Sequence, residues 1–174
     1  MKLKQNKEIS IISAKKTNLF ETIFAIFSGN DSTSIIIPNA CPINDSYFLN
    51  GFTKEVFKNF PIVKANYEIS KHKPGTVSFI DGLINNKTKT KIVIANMYCQ
   101  TKANKDRSIN YGLLTYCMYD LKRHNIMYKK NNPDLNIEIH SPKIGSGITG
   151  ANWAFVSDLM LDVWEGQKLY VYAK

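Results

Sequence analysis

A three-layer αβα sandwich around a mixed, mainly parallel sheet is predicted by three observations. The run Ile35–Ile37 is wholly apolar and β-branched, the mark of a strand buried on both faces in the middle of an α/β sheet. Strand and helix patterns alternate through the second half of the chain, which implies parallel strands joined by crossover helices. A length of 174 residues with 44% hydrophobic and 21% charged residues fits one domain with a core of its own.

The elements follow in order. Glu8 to Ser13 reads as a short strand. Asn18 to Phe27 reads as a helix, because Leu19, Phe20, Ile23, Phe24 and Phe27 share one face. After a turn at Ser28 to Ser34, the Ile35–Ile37 strand is stopped by Pro38. The polar stretch Asn39 to Gly51 then leaves the C-terminal edge of that strand as a loop, a common place for ligands. Thr53 to Phe60 is predicted helical with Pro61 as its stop, and a polar connection runs to Pro74-Gly75. Thr76 to Ile80 and Lys91 to Met97 are strands, and Thr101 to Asn110 is a lysine-rich loop. Tyr111 to Arg123 carries a strong helical pattern through Leu113, Leu114, Cys117, Met118 and Leu121. A strand Ile137 to His140, a helix from Trp153 to Trp164 and a strand Leu169 to Tyr172 complete the chain, with no internal repeat and no second domain over residues 1–174.

A net charge of +9 and a pI near 9.4 attract polyanions. The charge is nearly all lysine spread along the chain, and the only arginines are Arg107 and Arg123. That pattern lacks the arginine forks and stacked aromatics of base recognition and argues against nucleic acid as the partner. A free pyrophosphate would feel the same field. Cys41, Cys99 and Cys117 are far apart and no ligand spacing offers a metal cage, so reduced buried thiols, no metal and no cofactor are expected. The opening MKLKQNKEIS leads into no apolar signal region, and no run has the length of a membrane span. A cytoplasmic location is the expectation, and the oligomeric state is left open.

The sharpest local feature is G-x-G-x-x-G at Gly145, Gly147 and Gly150, set between a strand and a helix. Glycines there let backbone N–H groups converge on a phosphate at the positive end of the helix. The plain alternative is a tight turn whose glycines take positive φ. A nicotinamide-type Rossmann unit is excluded, since only one helix and one strand follow and no acidic ribose partner is placed. A Walker loop is excluded because no Gly-Lys-Ser or Gly-Lys-Thr closes the turn.

In HSPKIGSGITGANW, His140 to Trp153, the run Pro-Lys-Ile-Gly-Ser-Gly closely resembles the Pro-Arg-Ile-Gly-Cys-Gly of macro domains, in particular the phage and bacterial versions related to ADP-ribose 1″-phosphate phosphatases. The ending Gly150 to Trp153 resembles the family's Gly-Gly-Asp-Trp. The strand IVIANMYCQ, Ile92 to Gln100, is similar to its Val-Ala-Asn-x-x-x-Gln, and INYGLLTYCMYDLKR looks like the helix begun by its Tyr-x-x-Leu. The resemblance runs from Ile35 to Tyr172.

This resemblance implies an ADP-ribose site. The backbone of Gly145, Ser146, Gly147, Ile148 and Thr149 would cradle the diphosphate, with Gly150 turning the chain into the helix. Asn39, Asn44, Asn50, Gly51 and Phe52 fall in the family's first ligand loop, where an asparagine contacts the distal ribose. Asn39 and Asn44 equally suit Asx turns, and Phe52 suits core packing better than pocket lining. Asn96 and Gln100 lie four apart on one face of a strand end, to meet ligand or be satisfied internally. Asn39 and His140 are the candidate catalytic groups, His140 as a general acid or, from its place on the strand, a core histidine. The family's adenine-binding aspartate has no counterpart in Ile12-Ser13-Ala14-Lys15. Hydrolases of acyl-linked ADP-ribose use a loop lysine and a glycine-loop aspartate, where Gln100 and Thr149 stand, with Lys102 the nearest lysine. The resemblance implies a hydrolase that removes phosphate from ADP-ribose 1″-phosphate or ADP-ribose from a target, or, alternatively, a non-catalytic module that reads or sequesters an ADP-ribose-like signal.

Overall fold

The computed structural model describes residues 17–43, 51–101, 108–147 and 149–173. The sequence-predicted strand at Glu8–Ser13 lies outside them. Among the described residues five strands form one sheet in the order β2-β3-β1-β4-β5: β1 (Thr33–Pro42), β2 (Val77–Ile84), β3 (Lys91–Gln100), β4 (Asn136–Pro142) and β5 (Lys168–Tyr172). The β1, β3, β4 and β5 pairings are parallel, and β2 runs antiparallel along β3. The helices are α1 (Leu19–Phe27), α2 (Phe52–Asn59), α3 (Pro61–Ile69), α4 (Tyr111–Asn131) and α5 (Trp153–Val163).

Strand alternation divides the core in two. Ile35 and Ile37 of β1 and Ile92 and Ile94 of β3 meet Ile23 of α1, Val56 of α2 and Val63 of α3. Ile36, Val93, Ala95 and Met97 project the other way, onto Leu114, Met118 and Leu121 of α4 and Val156 and Met160 of α5. The period of two in the strands thus builds the three layers directly.

Two prolines act differently from the sequence expectation. Pro38 does not stop β1, which continues to Pro42. The last β1–β4 pair is Ile36↔Ile139, so on that side the strand is already an edge at Pro38, and a missing N–H takes nothing from the β4 ladder. Pro61 does not only end α2. It stands at the first position of α3, where its absent N–H would have no helical partner and its fixed φ favours the turn. α4 also runs past Arg123 to Asn131. Its later inward position is the polar Asn125, which donates to Gln167 at 3.2 Å, and Lys129 Nζ caps the end by donating to the carbonyls of Pro133 and Leu135.

Candidate functional site

The parallel strands β1, β3 and β4 all end on one edge of the sheet, and the loops leaving that edge carry the sequence-predicted residues. The glycine loop follows β4. Gly145 and Gly150 take φ of 74° and 64°, the left-handed region that glycine enters without penalty. The loop is closed from within: Ala151 N–H donates to the Gly145 carbonyl at 2.9 Å and Gly150 N–H to the Gly147 carbonyl at 3.1 Å. It is also tied to the segment after β3, because Ser108 N–H donates to the Thr149 carbonyl at 3.0 Å. The N–H groups of Gly145, Gly147 and Thr149 donate to no group among the described residues. Ser146, Gly147 and Gly150 are exposed.

Asn152 caps α5, its Oδ1 accepting from the amides of Ala154 and Phe155. The Asn152 N–H donates in turn to the Tyr111 hydroxyl at 2.8 Å. This bond joins the first turns of α4 and α5 beside the loop and gives Tyr111 a structural task. Gly51 enters α2 at φ 61° with no side-chain cap among the described residues, so the first amides of α2 also lack an intrahelical partner. Helix ends of this kind attract anions.

Beneath these loops lies a buried polar cluster. Asn39 and Asn96 pair across β1 and β3 and both are fully buried. Asn39 Nδ2 donates to Asn96 Oδ1 at 2.9 Å, and Thr53 Oγ1 lies 2.9 Å from Asn39 Oδ1. Asn96 Nδ2 has no partner among the described residues. Cys41 completes the group, 3.2 Å from Asn39 Nδ2, and burial pushes its thiol well above the ordinary range, so it stays protonated. Gln100 is half-buried and donates to the Ala40 carbonyl at 2.8 Å, stitching the ends of β1 and β3 together.

His140 is also buried. Its Nε2 lies 3.1 Å from Glu138 Oε2 and its Nδ1 2.6 Å from the Tyr172 hydroxyl. A carboxylate only accepts, so His140 Nε2 carries a hydrogen toward Glu138, and Nδ1 shares a hydrogen with the Tyr172 hydroxyl. Burial pushes the Tyr172 phenol up to about 12, which keeps it a donor. The bond from His140 holds the Glu138 carboxyl below its ordinary value, with Asn136 and Lys168 adding to the effect against the opposing effect of burial. A carboxylate with a lowered folded pKa contributes stability above its unfolded value of 4.5 and loses it as pH falls through the folded one. Thermal melts between pH 7 and pH 3 are therefore expected to fall off below about pH 4.5, with a shallower slope in Glu138→Gln.

Tyr172 also lines a cavity of about 460 Å³, together with Pro142, Leu19, Phe20, Phe52, Asn18 and Glu55. Phe20 and Phe52 stack there with ring centroids 5.7 Å apart. Phe52 thus packs against α1 and lines a cavity at once. Of the sequence-predicted site residues, the structure brings Asn39 and Asn96 together under the strand ends, holds Gln100 beside them, and places Gly145, Ser146, Gly147, Thr149 and Gly150 in one loop on the same edge. Asn44, Asn50 and Ile148 lie outside the described residues, as does Lys102. Thr53, Tyr172, Asn18 and Glu55 were not singled out from sequence. Only Asn18 carried a local signal, as a helix-capping residue before an apolar run. Among the described residues no helix is long and apolar enough to cross a membrane, and no three His, Cys, Asp or Glu side chains group to hold a metal.

No family model and no curated protein matches the sequence. Solved structures do share its fold. The macrodomain of Mycobacterium tuberculosis DarG is similar at 15% identity and a TM-score of 0.61, over 85% of this chain and 92% of that one. The macrodomain of Thermus aquaticus DarG is similar at 16% and 0.61, over 91% and 95%. Thermosipho africanus DarTG, solved in complex with ADP-ribose, is similar at 13% and 0.55, over 79% of this chain but 37% of that chain.

Proposed function

From a macro-domain fold, we propose that this chain is a single domain that binds ADP-ribose or a close derivative. The observation that carries the reading is the glycine loop before α5, whose Gly145, Gly147 and Thr149 amides have no partner among the described residues. The diphosphate would lie against these amides and the uncapped start of α2, where partial positive charge from both helix ends adds up. The aromatic end of the nucleotide would enter the cavity between Phe20, Phe52 and Tyr172.

The engagement of the two candidate catalytic groups favours holding the nucleotide over turning it over. Asn39 is fully buried and bonded to Thr53 and Asn96. His140 is buried between Glu138 and Tyr172. Neither presents a free atom to a substrate, so a module that reads or sequesters the nucleotide fits better than a phosphatase or an ADP-ribosyl hydrolase. Calorimetric titration with ADP-ribose, with AMP as control, is expected to give micromolar affinity, about 8 kcal/mol, for ADP-ribose alone. Absence of heat would refute the site. Steady release of phosphate from ADP-ribose 1″-phosphate would refute the non-catalytic reading.

A further inference from the structure

α4 carries apolar side chains on two opposite faces. Its inward face is built from Leu114, Cys117, Met118, Leu121 and Asn125, all buried. At 3.6 residues per turn, Tyr116, Tyr119, Arg123, Ile126, Met127 and Lys130 fall within about 100° of one another on the side away from that core. Tyr116 is 69% exposed, Tyr119 57%, Ile126 51% and Met127 52%. Nine large hydrophobic residues are exposed among the described residues, and the gathering of four on one stripe sets it apart from the scattered apolar residues of an ordinary surface. A helix that packs on a sheet normally turns a polar face outward. From Tyr116 to Met127 the stripe runs about 16 Å, away from the glycine loop that adjoins the first turn of the helix.

The charges around the stripe decide what would cover it. α4 carries Lys122, Arg123, Lys129 and Lys130 against the single carboxylate of Asp120, and Asp120 is already engaged by Arg123. A second copy of this chain would bring the same cations to the same face and be repelled. One helix face of this length also offers far less than the roughly 800 Å² per partner that a standard stable interface buries, a size that suits a single helical segment. A bilayer that took in the stripe would draw the Arg123–Asp120 pair at its middle out of water, at a cost in desolvation. A partner helix meets both the apolar and the charged demand. Its apolar side chains at i, i+3, i+4 and i+7 would seat on the tyrosines, Ile126 and Met127, and carboxylates beside them would pair with Arg123 and Lys130.

We propose that the outward face of α4 docks an acidic amphipathic helix of a partner protein. The surface does not depend on the nucleotide-binding reading. The probe is a fluorescein-labelled synthetic peptide about 18 residues long, with leucines on one helical face and glutamates beside them. A control peptide keeps the leucines and has lysines in place of the glutamates. Fluorescence anisotropy with the full chain is expected to show binding of the glutamate peptide about tenfold tighter than that of the control. The double variant Tyr119→Ser/Ile126→Ser changes only exposed side chains, and matched thermal melts check its fold. Its affinity for the glutamate peptide is expected to fall about tenfold. Lys130→Glu is expected to weaken the glutamate peptide and strengthen the lysine control. No binding of the glutamate peptide, equal binding of the two peptides, or binding that the double variant leaves unchanged would overturn the proposal. So would a concentration-dependent dimer in sedimentation, or uptake by vesicles of phosphatidylcholine with phosphatidylserine, that the double variant abolishes, since the stripe would then belong to a second copy or to a membrane.

Discussion

Replacing Gly147 with glutamate is expected to weaken ADP-ribose binding by about 100-fold or more, about 2.7 kcal/mol, while leaving the melting temperature within about 2 °C. A Cβ built at Gly147 meets nothing within 4 Å, and the residue is exposed and outside the positive-φ set. The fold therefore has no use for the missing side chain at this position. A ligand diphosphate would, because a carboxylate there occupies the approach to the loop amides and repels phosphate at short range. Unchanged affinity would remove the loop from the binding site.

Two residues earlier the same kind of change should do the opposite. Gly145→Ala is expected to destabilise the fold by about 2–4 kcal/mol, lowering the melting temperature by roughly 5–15 °C. Gly145 has a φ of 74°, and a Cβ would stand 2.5 Å from Ala151 Cβ and 3.0 Å from Ile109 Cδ1. Both neighbours are anchored: Ala151 donates back to the Gly145 carbonyl and Ile109 is buried in the α4–α5 core. The clash cannot relax without moving the start of α5. A melting temperature equal to that of the unaltered chain would show that this packing is absent. The two glycines of one motif thus divide its work, one shaping the turn and one leaving the approach open.

The strands were legible because burial on both faces leaves only apolar residues, as in Ile35–Ile37 and the apolar positions of β3. Their ends were not. Whether Pro38 breaks β1 depends on β4 having stopped pairing at Ile36, a fact about a partner 100 residues away in the chain. α4 was read to Arg123 because its apolar spacing fades after Leu121, where Asn125 takes the inward place through a bond to Gln167. The glycine loop was readable since its chemistry is contiguous. The cavity was not, because Asn18, Glu55, Pro142 and Tyr172 come from four elements that meet only after the sheet has formed. The same holds for Asn39, whose buried bonds to Thr53 and Asn96 have no trace in local pattern.

The central place of β1 has a consequence for the birth of the protein on the ribosome. Ser34 pairs with Lys91 and Ile137, so both of its hydrogen-bonded neighbours are synthesised long after it. At bacterial or eukaryotic elongation rates the first, β3, emerges roughly 3–11 s later, and β4 follows later still. Through that interval an isoleucine-rich segment waits without a ladder on either side, exposed to other nascent chains. Pro38 and Pro42, each unable to donate a strand bond, sit within and at the end of that segment and make it a poor template for foreign strands while its own partners are still unmade.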